Sequence, residues 1–280
     1  MEKSNKPLSD WLIASDIDGT LNNKLRLMPK RNYKAIQKFV YDFGGNFVLA
    51  SGRSIESMRY HYKKLNLKSG YAVFTNGAGI YDYANEKILW LCPMKENLVD
   101  VVKAIAEKHK FAKVQIVKPT EVCLVKPDIA AYFLAWSSKL KIKKFKSISD
   151  VPPDNWCKVI FTGTPAMMKT IYNDFISANN GESRNLMFSS IFSFEVVSFD
   201  TNKGIAVLKT AEILGVDKNK TSAIGDYFND YQMLKNVAVP ACCGQAPYKL
   251  KEIAKLVTCH CNKGAVAELI EYLISNRDNL

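Results

Sequence analysis

The sequence predicts an α/β protein whose parallel sheet, flanked by helices, is interrupted by an inserted α+β domain. Apolar strand segments alternate with helical patterns up to about residue 75, and the same alternation returns after residue 197. Between these parts, the strand segments are short and several read as hairpins. We therefore expect a discontinuous core domain at 1–83 and 197–280, with the inserted domain at 84–196.

The N-terminal part has the periodicity of a strand–helix–strand–helix–strand unit. Its predicted elements are residues 11–15, 30–43, 46–51, 54–65 and 71–75. The strands are almost continuously apolar, which is typical of parallel strands covered on both faces. Asp16, Ser51 and Asn76 each stand where one of these strands ends. Ligands of open parallel sheets bind beyond the carboxyl ends of the strands, so these three positions indicate a site.

The remaining elements follow from the same patterns. In the insertion, we expect a hairpin at 79–91, helices near 95–108, 128–138 and 165–178, strands at 113–117, 121–125, 139–146 and 158–163, and two strands near 186–198. In the resumed core, we expect a helix at 203–214, a strand at 221–225, a helix from about 229, a strand at 237–241 and further helices to the end.

The charge and composition limit the classes of function. The chain has 280 residues and a net charge of +12, which points to an anionic partner. The lysine run from Lys139 to Lys146 is best explained as an edge strand that lysines protect from aggregation, because no nucleic-acid-binding motif accompanies it. No apolar run is long enough to span a membrane, and the seven cysteines form no secreted framework. These two features favour a cytoplasmic protein. The spacing of Cys259 and Cys261 is not typical of zinc sites, so we expect no zinc.

Polar side chains follow the predicted strand ends in a pattern that suits phosphoryl transfer. The set consists of Asp16, Asp18, Ser51, Lys203, Asp226, Asn229 and Asp230. Converging carboxylates repel one another unless a hard cation lies among them, and oxygen ligands favour Mg²⁺. A serine, a lysine and exposed backbone N–H groups suit phosphate oxygens. In phosphoryl transfer, positioning and charge neutralisation supply most of the catalysis.

Four ordered motifs give the chain a specific family resemblance. "DIDGTL" (16–21), "SGR" (51–53), "NKG" (202–204) and "GDYFND" (225–230) correspond to motifs I to IV of the haloacid dehalogenase (HAD) superfamily. The chain resembles the Cof-like phosphatases of subclass IIB over nearly its whole length. This resemblance implies a Rossmann-like HAD core and a C2B-type cap, because the insertion falls between motifs II and III.

The resemblance implies the catalytic and metal-binding roles. Asp16 is the expected nucleophile, and Asp18 is the expected general acid and base. We expect both side chains on one side of an extended segment, since they are two residues apart. Mg²⁺ is expected on the carboxylates of Asp16 and Asp226 and on the backbone carbonyl of Asp18. Asp230 is expected to support the metal, through water or hydrogen bonds.

The resemblance also implies a phosphate-binding set. Ser51, the amide of Gly52 and Lys203 are expected to hold the phosphoryl oxygens, and Asn229 to contact phosphate or substrate. Taken singly, Ser51 could equally be a helix-capping residue and Lys203 a solvated lysine. Asp230 could be an ordinary acid of a first helical turn. The role of Arg53 stays open.

The expected function is a Mg²⁺-dependent phosphatase that acts on a small phosphorylated metabolite, such as a sugar phosphate. The alternatives are a phosphomutase similar to the phosphomannomutases and a binding or regulatory protein without turnover. A basic surface on such a protein could bind nucleic acid, although we expect neither a nucleic-acid nor a membrane partner. We expect a monomer, with a weak homodimer as the alternative.

Overall fold

The computed structural model describes residues 7–67, 70–183 and 185–277. The strands in these ranges are β1 (Leu12–Ser15), β2 (Asn46–Ala50), β3 (Tyr71–Phe74), β4 (Gly79–Asp82), β5 (Lys87–Leu91), β6 (Lys113–Val117), β7 (Glu121–Val125), β8 (Lys141–Phe145), β9 (Lys158–Thr162), β10 (Leu186–Ser190), β11 (Ser193–Val197), β12 (Thr221–Gly225), β13 (Val239–Cys242) and β14 (Leu256–Val257). The α-helices are α1 (Lys30–Gln37), α2 (Ile55–Leu65), α3 (Glu96–Lys108), α4 (Ile129–Ser137), α5 (Pro165–Ala178), α6 (Lys203–Leu214), α7 (Tyr231–Asn236), α8 (Tyr248–Lys251) and α9 (Ala265–Asn276).

The first of two compact units contains the chain up to Gly52, residues Arg59–Trp90 and the chain from Asn202 onward. Its eight strands form one sheet in the order β14-β13-β12-β1-β2-β3-β4-β5. Pairing is parallel from β14 to β3, and β4 runs antiparallel to β3. β1 lies at the centre, and its Leu12, Ile13 and Ala14 side chains are fully buried. This is the predicted parallel sheet.

Helix termini of the first unit are fixed by local chemistry. α6 begins directly after Asn202, whose side chain accepts a hydrogen bond from the Ile205 amide at 3.1 Å. It ends at Gly215, which adopts the left-handed conformation (φ 67°) that lacks a steric penalty only for glycine. The predicted helix at 30–43 is α1 followed by a π-helical segment, Lys38–Asp42.

The second compact unit contains Arg53–Met58 and Leu91–Thr201. Its sheet has the order β10-β11-β9-β6-β7-β8, and every pair is antiparallel except β7 with β8. One hydrophobic cluster joins α3 and α5 to the strands around the fully buried Trp156. A second cluster joins α4 to β7 through residues that include Leu124 and Ala135. This mixed sheet with helices is the inserted α+β domain of the predicted fold class.

The limits of the two compact units lie at residues other than the expected domain limits. The segment Arg53–Met58 belongs to the second unit, and the units also change over between Trp90 and Leu91 and between Thr201 and Asn202, whereas the sequence predicts changes near 83 and 197. The first of these limits lies later in the chain because β5 pairs with β4 and extends the first sheet by a further strand. The exact limits of the functional domains stay a prediction.

The lysine-rich strand β8 lies at the edge of the second sheet, as predicted. Within the described residues it pairs with β7 alone, and the side chains of Lys141, Lys143 and Lys144 are exposed. Lys143 forms an ion pair with Glu121 of β7 at 2.6 Å. Exposed lysines on an edge strand oppose pairing with another sheet.

Within the ranges that the structure describes, no helix combines the length and the hydropathy that a membrane crossing requires.

Candidate active site

The carboxyl edge of the first sheet holds the two polar residues that follow β1 and β2. Asp16 is 5% exposed, and its amide donates to the Ile224 carbonyl of β12 at 3.0 Å. Ser51 is buried as well, and its amide donates to the Val73 carbonyl of β3 at 3.0 Å. The parallel sheet therefore continues its backbone pairing by one residue at each position and fixes both side chains at its edge.

Lys203 is the first residue of α6, and its side chain reaches the carboxyl edge of the first sheet. Its ammonium nitrogen lies 2.6 Å from Asp16 Oδ1 and 2.7 Å from Asp230 Oδ1, and the residue is fully buried. Burial alone would lower the pKa of Lys203, but attraction by the two carboxylates outweighs it and raises the pKa above its ordinary value. The lysine therefore stays charged, and it is not the solvated side chain that its sequence context allowed.

Asp230 is anchored by both of its oxygens. Oδ1 accepts from Lys203, and Oδ2 accepts from the backbone amides of Asp226 at 2.9 Å and Tyr227 at 3.2 Å. A Cβ on Gly225 would lie 2.4 Å from the Asp230 side chain, so only glycine fits there. Asp230 thus shapes the loop that carries Asp226, in addition to facing Lys203.

Asp16, Asp226 and Asp230 form a cluster that can hold a cation. Each offers a carboxylate oxygen, and these oxygens lie within 4.8 Å of one another. Among the residues described by the structure, this is the one acidic, His or Cys cluster of that kind. An all-oxygen donor set fits Mg²⁺, which usually takes one or two carboxylates. Lys203 neutralises part of the negative charge, and a divalent cation would neutralise the rest.

Two carboxyl groups of this cluster have raised pKa values, mainly because they are buried. Burial raises the pKa of Asp16 from its ordinary 3.8 to about 7, with Lys203 opposing and Asp230 adding to the rise. Burial and the charge of Asp230 raise the pKa of Asp226 from 3.8 to about 6. A cation bound among these oxygens would favour the ionised forms of both groups.

The raised pKa of Asp226 predicts a pH-dependent effect of Asp226→Asn on stability without metal. The pKa of this carboxyl group is about 6 in the folded protein and 3.8 ordinarily. Its contribution to the stability of the folded state is therefore greatest below pH 3.8. That contribution is lost as the pH rises through 6. Relative to wild type, the variant should therefore gain a few degrees in melting temperature between pH 4 and pH 7. Thermal unfolding in EDTA checks this, and a constant or falling difference would contradict it.

Asp18 lies in the loop directly after β1, where it forms an isolated bridge with Asn22. The Leu21 amide donates to the Asp16 carbonyl at 3.2 Å, and the Asn22 amide donates to the Ile17 carbonyl at 2.8 Å. These bonds close a turn after Asp16. Ile17 is fully buried and Asp18 is exposed. The exposed position of Asp18 leaves its carboxyl group open to solvent at the edge of the sheet.

Thr20 and Gly19 connect this turn to Asp226. Thr20 Oγ1 donates to Asp226 Oδ1 at 3.1 Å. Gly19 has φ 84°, and a Cβ there would lie 2.3 Å from Asp226 Oδ2. Both residues belong to motif I, where no role was expected for them. Their contacts join residues more than 200 positions apart, so periodicity could not have revealed them.

Gly52, Asn76 and Asn229 lie together on the Ser51 side of the sheet edge. A Cβ on Gly52 would be 2.9 Å from Asn76 Oδ1, and Asn229 Nδ2 donates to the same oxygen at 3.3 Å. The Asn76 amide donates to the Ser51 carbonyl at 2.9 Å, with Asn76 in the left-handed conformation (φ 57°). The structure thus brings Asn229 near Gly52 through Asn76. Arg53, by contrast, belongs to the second compact unit.

Comparisons with known proteins agree with this architecture. Residues 13–270 match the family model of haloacid dehalogenase-like hydrolases. The chain is 24% identical over 265 residues to the 5-amino-6-(5-phospho-D-ribitylamino)uracil phosphatase YcsE of Bacillus subtilis, covering 94% of this chain and 95% of that protein.

Two solved structures share the fold at lower sequence identity. A haloacid dehalogenase-like hydrolase from Bacteroides thetaiotaomicron has a TM-score of 0.81 and 22% identity, covering 94% of this chain and 99% of the other. The HAD subclass IIB sugar phosphatase BT4131 has a TM-score of 0.74 and 17% identity, covering 94% of this chain and 98% of the other.

The chain belongs to the haloacid dehalogenase-like hydrolase family. This is the superfamily that the four ordered motifs predicted. YcsE and BT4131 are both named phosphatases.

Proposed function

We propose that this protein is a Mg²⁺-dependent phosphatase that hydrolyses a small phosphorylated metabolite through an aspartyl-phosphate on Asp16. The observation that carries the proposal is the buried contact of Lys203 with Asp16 and Asp230, beside Asp226. A buried lysine among three carboxylates is expensive to build for stability alone, since each ion loses its hydration. The arrangement is well suited to binding a phosphoryl group together with a cation.

The metal would be held by the carboxylates of Asp16 and Asp226 and by the backbone carbonyl of Asp18. When bound, Mg²⁺ supplies positive charge that offsets the negative charge of the phosphoryl oxygens. Both oxygens of Asp230 already accept hydrogen bonds, so we assign Asp230 a supporting role, through water or through Lys203 and the Asp226 loop.

Asp16 and Asp18 divide the chemistry between them. The Asp16 carboxylate attacks phosphorus, and the bond from phosphorus to the ester oxygen breaks. Asp18 gives its proton to the departing alcohol and then removes a proton from water. That water attacks the phosphorus of the aspartyl-phosphate, which releases inorganic phosphate and restores both carboxyl groups. The exposed position of Asp18 suits a group that exchanges protons with a leaving alcohol and with water.

Ser51, the amide of Gly52 and Lys203 form the proposed phosphate-binding set. Lys203 stays protonated and can donate to a phosphoryl oxygen while it contacts Asp16. Gly52 lacks the Cβ that would crowd Asn76, so its backbone can lie close to the Asn76 side chain. Asn229 is proposed to contact the phosphate or the substrate, since its side chain is held by Asn76 on the same side.

The substrate class is proposed as a sugar phosphate or a similar phosphate monoester. BT4131 is named a sugar phosphatase, and the name of YcsE describes a phosphate ester on a ribityl group. Both names describe a polyhydroxylated carbon chain that carries phosphate. We further propose that residues 84–196 act as a C2B-type cap, that the protein is cytoplasmic, and that it works as a monomer.

A hydrolysis screen tests the proposal. Purified protein is incubated with phosphorylated sugars, nucleotides and cofactors, and released inorganic phosphate is measured with Mg²⁺ and with EDTA. We expect phosphate release from at least one sugar phosphate or related monoester with Mg²⁺, and at least about 100-fold less in EDTA. Phosphate release that is equal in EDTA would contradict the metal requirement, and the absence of hydrolysis across the panel would contradict the phosphatase assignment.

The phosphomutase remains the second candidate within the same chemistry. Its support is the same aspartyl nucleophile, which would return the phosphoryl group to another hydroxyl of the sugar rather than to water. The products distinguish the two reactions: free phosphate supports the phosphatase, and an isomerised sugar phosphate supports the mutase.

A further inference from the structure

The side-chain amides of Gln245 and Asn32 each bridge the turn that follows Asp16 to a second backbone segment. Gln245 Nε2 donates to the Gly19 carbonyl at 2.6 Å, and its Oε1 accepts from the Cys261 amide at 3.0 Å. Asn32 Nδ2 donates to the Leu21 carbonyl at 2.9 Å, and its Oδ1 accepts from the Ala267 amide at 2.9 Å. Each amide therefore connects one carbonyl of the turn after Asp16 to one backbone amide of the segment 259–267.

The Gln245 bridge acts on the peptide group that leads into Thr20. The Gly19 carbonyl belongs to the peptide between Gly19 and Thr20, and Thr20 donates to Asp226. Gly19 has φ 84° and no side chain, so without a partner its carbonyl could rotate at low cost. Gln245 also lies near the Asp226 carboxylate, where its amide opposes the rise in the pKa of that group. Its single amide thus fixes the Gly19 peptide close to the proposed metal site.

The Asn32 bridge acts on the other end of the turn. The Leu21 carbonyl belongs to the peptide between Leu21 and Asn22, and the Asn22 amide closes the turn on the Ile17 carbonyl. Asn32 is fully buried, and its acceptor bond from Ala267 lies in the first turn of α9. An amide is suited to this position because it can donate and accept at once, while no apolar side chain of similar shape can do either.

We propose that Gln245 and Asn32 are positioning residues. Their hydrogen bonds connect the turn after Asp16, which contains Asp18, to the segment 259–267 and so hold Asp18 in the geometry that catalysis requires. The proposal rests on the proposed function, because the geometry matters only if the turn contributes the Asp18 carbonyl and carboxyl group to the reaction. It assigns a role to the segment around Cys259 and Cys261 that needs neither a zinc ion nor thiol chemistry.

Gln245→Met and Gln245→Glu test the proposal, with Gln37→Met as a matched control. Gln37 is also half-buried and donates Nε2 to a backbone carbonyl, that of Leu65, at 2.6 Å. Hydrogen-bonding partners of metal ligands are typically worth about 10- to 100-fold in metal affinity or activity. We therefore expect Gln245→Met to lower kcat about 10-fold or more, with KM changed less than about twofold, since Ser51 and Lys203 are untouched. Gln37→Met should leave both constants unchanged.

Magnesium binding gives a readout besides turnover. Isothermal titration calorimetry with Mg²⁺ alone should show about 10-fold weaker binding for Gln245→Met and an unchanged affinity for Gln37→Met. Gln245→Glu keeps the side-chain length but cannot donate when ionised, so it should resemble Gln245→Met. A role in packing alone predicts near wild-type behaviour for Gln245→Glu. Asn32→Asp, which keeps the acceptor and loses the donor, should also lower kcat; where it fails to fold, the Gln245 variants decide.

The outcomes separate this inference from the proposed function. Wild-type kcat and Mg²⁺ affinity in both Gln245 variants would overturn the positioning role and leave the phosphatase assignment intact. A wild-type protein that binds Mg²⁺ but hydrolyses nothing would overturn the assignment, and the calorimetric comparison would still decide the role of Gln245. A wild-type protein that does neither overturns both.

Discussion

Asp16→Asn should reduce phosphate monoester hydrolysis by about 10⁴-fold or more, because removal of a nucleophile typically costs that much. Asparagine keeps the shape of the side chain but is a poor nucleophile toward phosphorus. Asp16 Oδ1 faces Lys203, so in the variant the amide oxygen can still accept from the lysine. The variant should therefore fold while its turnover is lost. Released phosphate in the presence of Mg²⁺ measures the effect, and mass spectrometry of the intact protein with substrate should show phosphoprotein for wild type alone.

Asp10→Asn is the matched control for this substitution. Asp10 lies close to the N-terminal end of the same strand, where its side chain is exposed and pairs with Lys220. An exposed ion pair contributes little, so this variant should retain wild-type turnover. Comparable rates for Asp16→Asn and Asp10→Asn would exclude Asp16 as the nucleophile.

Lys203→Met should remove activity and also destabilise the fold. Methionine preserves the apolar stem of the side chain but leaves Asp16 and Asp230 buried without their shared cation. Removing one partner from a buried ion pair typically costs about 3–5 kcal/mol in the free energy of unfolding. Chemical denaturation in EDTA measures the loss of stability, and phosphate release measures the loss of activity.

Two further variants make the result for Lys203 interpretable. Lys209→Met, on the same helix, removes an exposed lysine that pairs with Glu212, and it should change stability by less than about 0.5 kcal/mol. Adding Asp230→Asn to Lys203→Met removes one of the two uncompensated charges and should restore part of the stability. If Lys203→Met were as stable as Lys209→Met, the buried ion pairs would not be the source of stability assigned to them.

The order of secondary structure was predictable because hydrophobic periodicity survives in a single sequence. α6 and β12 occupy the predicted ranges, and β8 is the predicted edge strand. β14 was not predicted, because a two-residue strand has no periodicity to read. The π-helical segment after α1 was likewise invisible, since its residues fit an ordinary α-helical pattern.

The site was predictable in its residue types and less so in its local geometry. The ordered motifs named Asp16, Lys203, Asp226 and Asp230, and the structure brings their side chains together. The hydrogen bonds of the turn after Asp16 were not predicted, because they depend on how the chain leaves the sheet. Gln245 belongs to no motif that chemistry would single out. Its contacts depend on the packing of a loop against a turn more than 200 residues earlier.

The central position of β1 has a consequence for how the protein is made. β1 pairs with β2 on one side and with β12 on the other, and 187 residues separate Asp16 from Lys203. During synthesis from the N-terminus, the continuous stretch Leu91–Thr201 is complete before α6 and β12 leave the ribosome. Contacts of such sequence separation slow folding and leave apolar strands exposed in the meantime. The first sheet of the nascent chain therefore stays incomplete through most of translation. A truncation before residue 225 would leave β1 without its full pairing with β12.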